Sequence, residues 1–132
     1  MIELDHLTLL LPSGGKIEAH GRGIKPLLSL YLNSPRSIEG AIVYDKVIGR
    51  AAAAILCLGK AKEVHAHLLS IGAKKLLKEH GIYSDGEVEV ERIFNHDRTD
   101  ICPMEKSCLG LEDPLDIEQA VEAKARQMGL LG

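Results

Sequence analysis

Aromatic residues are scarce in this chain of 132 residues, which has no Trp, one Phe (Phe94) and three Tyr (Tyr31, Tyr44 and Tyr83). Aromatic residues make up 3% of the chain and apolar residues 45%, so we expect a core of aliphatic side chains. Proteins that bind single-stranded nucleic acid usually stack the bases on aromatic side chains. The scarcity therefore argues against nucleic acid as a partner.

Long apolar runs and an excess of positive charge are also lacking. The longest run of small apolar residues, 51–59, is far shorter than the roughly 20 residues that a membrane span requires. The 16 basic and 19 acidic side chains give a net charge of −3, which does not suit a polybasic binding protein. The acidic start of the chain is unlike a signal peptide, and an odd number of cysteines, three, suits a reducing compartment. We expect a cytoplasmic protein that binds neither membrane nor nucleic acid.

The order of local patterns predicts one α/β domain over residues 1–132. Two short β-compatible runs, 6–11 and 16–20, flank a Pro-Ser-Gly-Gly turn and are typical of a hairpin. Helix patterns then alternate with strand patterns, which favours a mixed sheet with parallel pairs and helices on both faces. The predicted strands are 40–44, 64–69 and 83–94; the predicted helices are 24–31, 49–58 and 73–80, one that begins near Cys102, and one that begins at Asp113 and turns Met128 inward.

Three polar segments fall at junctions between a strand and a helix, where open α/β sheets bind ligands. In the first segment, Gly21, Arg22, Gly23 and Lys25 precede a helix. The glycines allow the backbone to approach an anion, and the two cations add positive charge. A strand-to-helix turn that needs glycine geometry explains the same residues.

The second segment contains Asp45, Lys46, Gly49 and Arg50, after a strand predicted to be buried. A carboxylate, an ammonium and a guanidinium at the edge of a sheet can bind a polar ligand or transfer protons. In the alternative interpretation, Asp45 caps the next helix and the two cations are solvated.

The third segment is a polar loop that contains Asn95 and Asp97 and leads to Cys102 and Glu105 at the start of a helix. The N-terminus of a helix favours the thiolate form of a cysteine. Cys102 is therefore a candidate nucleophile or ligand, and the alternative is a small side chain packed into a first helical turn.

Metal-binding motifs are missing. His65 and His67 share one face of a predicted strand, but zinc sites need three or four ligands, and the other histidines, His96 among them, lack a partner at a suitable spacing. We predict that His65 and His67 are hydrogen-bonded strand residues, and we expect no metal and no cofactor.

Together the three segments resemble the signatures of the bacterial and archaeal family called domain of unknown function 1893. The resembling stretches are residues 21–27, residues 44–53, and Asn95 with residues 102–105, and the resemblance covers nearly the whole chain. It implies a cytidine-deaminase-like fold, which is a three-layer α/β/α sandwich, and it implies no established activity. True deaminases hold zinc with a His-x-Glu-type motif and a Pro-Cys-x-x-Cys motif, both absent here, so we predict that the chain is not a zinc deaminase.

If the two helices begin at one pocket, Asp45, Lys46, Cys102 and Glu105 meet there. The sequence then predicts a site for a small molecule, nucleotide-like or an anionic metabolite, in which Cys102 reacts or binds and the other three orient the ligand or move protons. The residues predicted to bind the ligand are Gly21, Arg22, Gly23, Lys25, Gly49, Arg50, Asn95 and Asp97.

Two other functions remain open at this point. One is a domain that senses a ligand or acts as a scaffold without catalysis, and the other is a sulfur-carrier or redox role of Cys102. Tyr44 and Phe94 are the two rings next to the candidate site that a nucleobase could stack on. Aliphatic edge strands also allow a homodimer.

Overall fold

The strands and helices follow one another along the chain in the order that the sequence predicts. The computed structural model describes residues 2–95 and 97–131, so His96 lies outside the described residues. The strands are β1 (Leu7–Leu10), β2 (Lys16–Ala19), β3 (Ile42–Ile48), β4 (Glu63–Ser70) and β5 (Tyr83–Val90); the helices are α1 (Lys25–Asn33), α2 (Arg50–Gly59), α3 (Ile71–Glu79), α4 (Pro103–Ser107) and α5 (Pro114–Gln127).

The five strands form one mixed sheet in the order β2-β1-β3-β4-β5. β1 is antiparallel to both β2 and β3, whereas β3, β4 and β5 are parallel to one another. The fold is therefore of the α/β class with an N-terminal β-hairpin, as predicted, and it is consistent with a three-layer sandwich.

Helix α2 is the centre of the packing. Every residue from Ala51 to Leu56 is buried. Because the alanine side chains are small, other elements can approach the helix closely. It contacts each of the other four helices. The buried core is aliphatic in the described part of the chain, which confirms the expectation from composition, and its largest fully buried side chains are Leu, Ile and Val.

Strand β3 extends four residues beyond its predicted end at Tyr44. Val47 and Ile48 continue the ladder by pairing with Leu68 and Leu69, because β-branched side chains suit a buried strand. The prediction that strand 40–44 ends before Asp45 is therefore wrong. β5 instead ends early, at Val90, and the predicted inward position of Met128 is also wrong: α5 ends at Gln127 and Met128 is 47% exposed.

Glu118 is the one buried carboxyl group in α5. It is only 4% exposed, and its Oε2 atom has no hydrogen-bond partner. Burial raises the pKa of Glu118 to about 7, and the carboxylate of Glu122, one turn further along, adds to the shift. The Arg126 guanidinium, 2.7 Å from Oε1 of Glu122, lowers the pKa of Glu122. Glu118 therefore keeps its proton well above the pH at which an unfolded chain would lose it.

We predict that the free energy of unfolding falls as the pH rises from about 4.5 to about 7, because the unfolded chain ionises Glu118 first. In Glu118→Gln this loss should shrink, so that the variant gains on the order of 1–3 kcal/mol relative to the wild type between pH 5 and pH 8. Urea unfolding of both proteins at pH 5 and at pH 8 measures this difference in the free energy of unfolding. Glu39→Gln, at an exposed position, is the control; equal pH dependence in the wild type and Glu118→Gln would contradict the assignment.

Candidate functional site

The carboxyl ends of the three parallel strands meet at one edge of the sheet, and a cavity of about 270 Å³ lies there. Arg50 follows the end of β3, Ser70 is the last residue of β4, and Glu91 follows the end of β5. We call this the edge cavity; its lining residues are Arg50, Ser70, Gly72, Glu91, Arg92, Ile93, Ile101, Glu105 and Leu109.

The side chain of Glu105 caps the N-terminus of α2. Its Oε1 accepts a hydrogen bond from the backbone N–H of Arg50 and its Oε2 accepts one from that of Ala51, each at 2.7 Å. A carboxylate at this position satisfies two free N–H groups and complements the helix dipole. A Cβ atom at Gly49 would lie 2.6 Å from the Glu105 carboxyl carbon, so a larger residue there would push the carboxylate out of its position. Asp45 does not cap this helix, contrary to the alternative considered above, since Gly49 is the N-cap residue.

The side chain of Arg50 connects the same two parts of the chain in the opposite direction, from α2 to the residues that follow α4. Its Nη1 donates to the backbone carbonyl of Cys108 at 3.1 Å, and its Nη2 donates to that of Leu111. The guanidinium therefore satisfies carbonyl groups that follow α4. Gly72, at the start of α3, gives the arginine stem its space, because a Cβ atom there would lie 2.8 Å from Cδ of Arg50.

The loop that follows β5 forms one wall of the edge cavity. Phe94 and Ile101 form an antiparallel bridge, and the N–H of Cys102 donates to the carbonyl of Ile93 at 2.8 Å. The side-chain oxygen of Asn95 accepts a hydrogen bond from the N–H of Thr99 at 3.0 Å, so this residue organises the loop.

A second cavity, of about 320 Å³, lies beside the same loop. We call it the loop cavity; it is lined by Asn95, Asp100, Ile101, Pro103, Lys106, Ser107 and Lys124. Its Lys106 forms an ion pair with Asp100. Ile101 lines both cavities and separates them.

Asp45 and Lys46 lie inside β3 and line neither cavity. Burial raises the pKa of Asp45 to about 6, and its Oδ1 accepts a hydrogen bond from the N–H of Lys46 at 2.8 Å. Cys102 is also outside both linings, so Glu105 is the one member of the predicted group of four that lines the edge cavity. The four are not brought together there because β3 continues past Asp45.

The first predicted segment is exposed and lines neither cavity; Gly21, Arg22 and Gly23 precede α1, and Lys25 is its first residue. Gly21 has φ of 145° and Gly23 has φ of 62°, conformations that favour glycine. A Cβ atom at Gly21 would lie 3.0 Å from Pro26 Cγ. These glycines match a strand-to-helix turn, and the ligand-binding role of Arg22 and Lys25 stays a prediction. Asp97 is exposed and lines neither cavity.

The three cysteines differ in their surroundings. Burial raises the pKa of Cys57 to about 12 and that of Cys108 to about 11, so both remain thiols at neutral pH. Cys102 is partly exposed and is the N-cap residue of α4, a helix of only five residues.

The strand histidines are hydrogen-bonded, as predicted. His65 lies between two carboxylates, with Nδ1 at 2.8 Å from Asp85 Oδ1 and Nε2 at 2.7 Å from Glu63 Oε2. His67 Nδ1 is 2.8 Å from Glu87 Oε1. Within residues 2–95 and 97–131, no group of three His, Cys, Asp or Glu side chains is arranged to hold a metal ion.

Neither ring next to the predicted site faces a cavity. Tyr44 stacks on His65 with ring centroids 5.0 Å apart, and Phe94 is 53% exposed outside both linings. Among residues 2–95 and 97–131, the lining of the edge cavity therefore offers no ring on which a nucleobase could stack. In the described part of the chain, moreover, the helices lack the length and apolar character needed to span a bilayer.

Sequence reasoning missed most of the edge cavity: Ser70, Gly72, Glu91, Arg92, Ile93, Ile101 and Leu109. One of these residues could have been found from the sequence: a serine before a helix is typical of an N-cap, and Ser70 is the N-cap residue of α3. Its Oγ accepts a hydrogen bond from the N–H of Ala73 at 3.0 Å. Glu91 and Arg92 gave none, since their strand was predicted to continue to Phe94.

Comparison with known proteins identifies a family and a solved structure that is similar to this chain. The family model described as "Domain of unknown function (DUF1893)" matches residues 1–125. The crystal structure of a DUF1893 family protein from Thermotoga maritima is 32% identical to this chain and superposes with a TM-score of 0.81, covering 90% of this chain and 80% of that one. The comparison with curated proteins gave no match.

We predict that Glu105→Gln lowers the free energy of unfolding by about 1–3 kcal/mol, because an amide cannot accept both hydrogen bonds from α2. Chemical unfolding at neutral pH measures the loss. Glu112→Gln, at an exposed position between α4 and α5, should change it by less than about 0.5 kcal/mol. Equal effects of the two substitutions would show that the carboxylate does not hold α2.

Proposed function

Because the chain belongs to the DUF1893 family, whose description states no activity, we propose its function from geometry: the domain binds a small molecule in the edge cavity. The observation that supports this proposal is the cavity of about 270 Å³ at the carboxyl ends of β3, β4 and β5. Ligands of α/β sheets bind at this edge, where loops and helix N-termini supply polar groups.

The walls of the edge cavity suit a ligand that is polar at one end and apolar at the other. Ile93, Ile101 and Leu109 provide apolar surface, and Ser70, Glu91 and Arg92 provide polar atoms. Its volume corresponds to roughly nine water molecules, at the small end of ligand sites. The absence of an aromatic ring from the lining argues for a small polar metabolite rather than a nucleobase.

The walls are also held in place independently of a ligand. Glu105 joins α4 to α2, and Arg50 joins α2 to the carbonyl groups that follow α4. A preformed cavity costs less ordering on binding than one that the ligand must create. This supports binding as the primary function.

We predict that Leu109→Trp blocks the edge cavity, because it adds an indole to a lining residue that is 55% exposed and can accept the larger side chain without disturbing the core. In a ligand-observed NMR screen of small polar fragments, those that bind the wild type should lose at least tenfold in affinity for this variant. Leu115→Trp is the matched control, since Leu115 is 49% exposed and lies outside the lining. Fragments that bind both variants equally would place binding elsewhere.

A second candidate function is an activity that depends on Cys102. Burial raises the pKa values of the Cys57 and Cys108 thiols, and Cys102 is the cysteine that follows Ile101 of the edge cavity. In this proposal Cys102 acts on a ligand already bound in the cavity. If Cys102 has no such role, the domain is a non-catalytic ligand-sensing or scaffold protein.

We predict that iodoacetamide at pH 8 modifies Cys102 of the native protein well before Cys57 and Cys108, because burial raises the pKa values of the latter two thiols and Cys108 is also inaccessible. Peptide mass spectrometry over time measures the order, and unfolding in urea should abolish it. Cys102→Ser should leave binding of the screened fragments unchanged while removing any turnover. Simultaneous modification of all three thiols in the native protein would count against a special role for Cys102.

A further inference from the structure

The geometry points to a zwitterion of amino-acid type with an aliphatic side chain as the ligand of the edge cavity, its carboxylate on Arg92 and its ammonium on Glu91. This inference rests on the proposed binding function and adds the class of ligand. The ligand class is inferred from the charged side chains of the lining that do not already form hydrogen bonds within the protein.

Two of the four charged lining residues are committed to the protein itself. The Glu105 carboxylate accepts from the N–H groups of Arg50 and Ala51. The Arg50 guanidinium donates to the carbonyls of Cys108 and Leu111. Breaking either set of bonds to engage a ligand would leave backbone groups unsatisfied, at considerable cost.

The other two charged residues, Glu91 and Arg92, are consecutive in the sequence, directly follow β5 and both line the edge cavity. Both are exposed, and no hydrogen bond or ion pair joins either side chain to another side chain among residues 2–95 and 97–131. By contrast, Glu89, two residues earlier, pairs with Lys74 at 2.7 Å. The cavity therefore presents one uncommitted positive and one uncommitted negative charge.

A ligand with a single charge would satisfy only one of these two groups. An anion would suit Arg92 but would lie near the Glu91 carboxylate, and a cation would have the reverse problem, because like charges at short range repel. A zwitterion pairs with both, and a guanidinium binds a carboxylate through two parallel hydrogen bonds.

The rest of the lining accounts for an aliphatic side chain. Ile93, Ile101 and Leu109 form the apolar wall, and the volume of about 270 Å³ holds roughly nine water-sized groups. Free leucine has about that many non-hydrogen atoms. The cavity lacks an aromatic ring, so it has no partner for stacking an aromatic side chain.

The test compares L-leucine with N-acetyl-L-leucine, which keeps only the negative charge, and L-leucinamide, which keeps only the positive one. Chemical shifts of the backbone amides of Gly72, Ile93 and Leu109 in the ¹⁵N-labelled full chain report binding. We expect L-leucine to bind at least tenfold more tightly than either blocked form. Arg92→Gln should weaken leucine at least tenfold and strengthen leucinamide, whose positive charge Arg92 repels. Glu91→Gln should weaken leucine and strengthen N-acetyl-leucine, whose negative charge Glu91 repels.

Arg36→Gln and Glu39→Gln are matched controls, because both residues are exposed and outside the cavity lining, and neither should alter binding. Equal affinity for the three compounds, or no shift at the cavity with any of them, overturns the zwitterion. The binding function itself is decided separately, by whether Leu109→Trp abolishes the binding of screened fragments. A cavity that binds other fragments and ignores leucine would thus refute the ligand class and keep the function.

Discussion

The reciprocal connection between α2 and the segment that begins with α4 is the interaction on which the site depends. Glu105 satisfies the first N–H groups of α2, and Arg50, the first residue of α2, satisfies carbonyls after α4. Each side chain thus forms hydrogen bonds with backbone groups that would otherwise be unpaired, Glu105 with those of α2 and Arg50 with those that follow α4. Because α2 also contacts α1, α3 and α5, this connection fixes the C-terminal part of the chain on the rest of the core.

This connection explains why residues that look catalytic in the sequence have a structural role here. Glu105 and Arg50 lie at a strand-to-helix junction, carry opposite charges and line a cavity, yet their polar atoms bond to backbone. Gly49 and Gly72 are required by the close approach of those two side chains. The predicted site segments therefore contain residues that hold helices together.

The fold was accessible from the sequence, and the site was accessible only in part. Alternating helix and strand patterns gave the element order, and the Ala-rich segment predicted a closely packed helix, because both follow from local periodicity. Arg50 and Glu105 are 55 residues apart in the chain, and no local pattern encodes such a pairing. Asp45 was misplaced because Val47 and Ile48 extend β3 past a charged pair, and Glu91 and Arg92 were missed because β5 ends before its apolar alternation does.

The polar cluster around His65 gives the scarcity of aromatic residues a spectroscopic consequence. Two of the three tyrosines, Tyr44 and Tyr83, have their rings beside the His65 imidazole, at 5.0 and 6.2 Å, and Tyr83 donates a hydrogen bond to Asp85. With no tryptophan in the chain, the intrinsic ultraviolet fluorescence comes from tyrosine. Two of the three tyrosines therefore report on the protonation and solvation of β3, β4 and β5, whereas the third, Tyr31, packs against the aliphatic core and reports on its surroundings there.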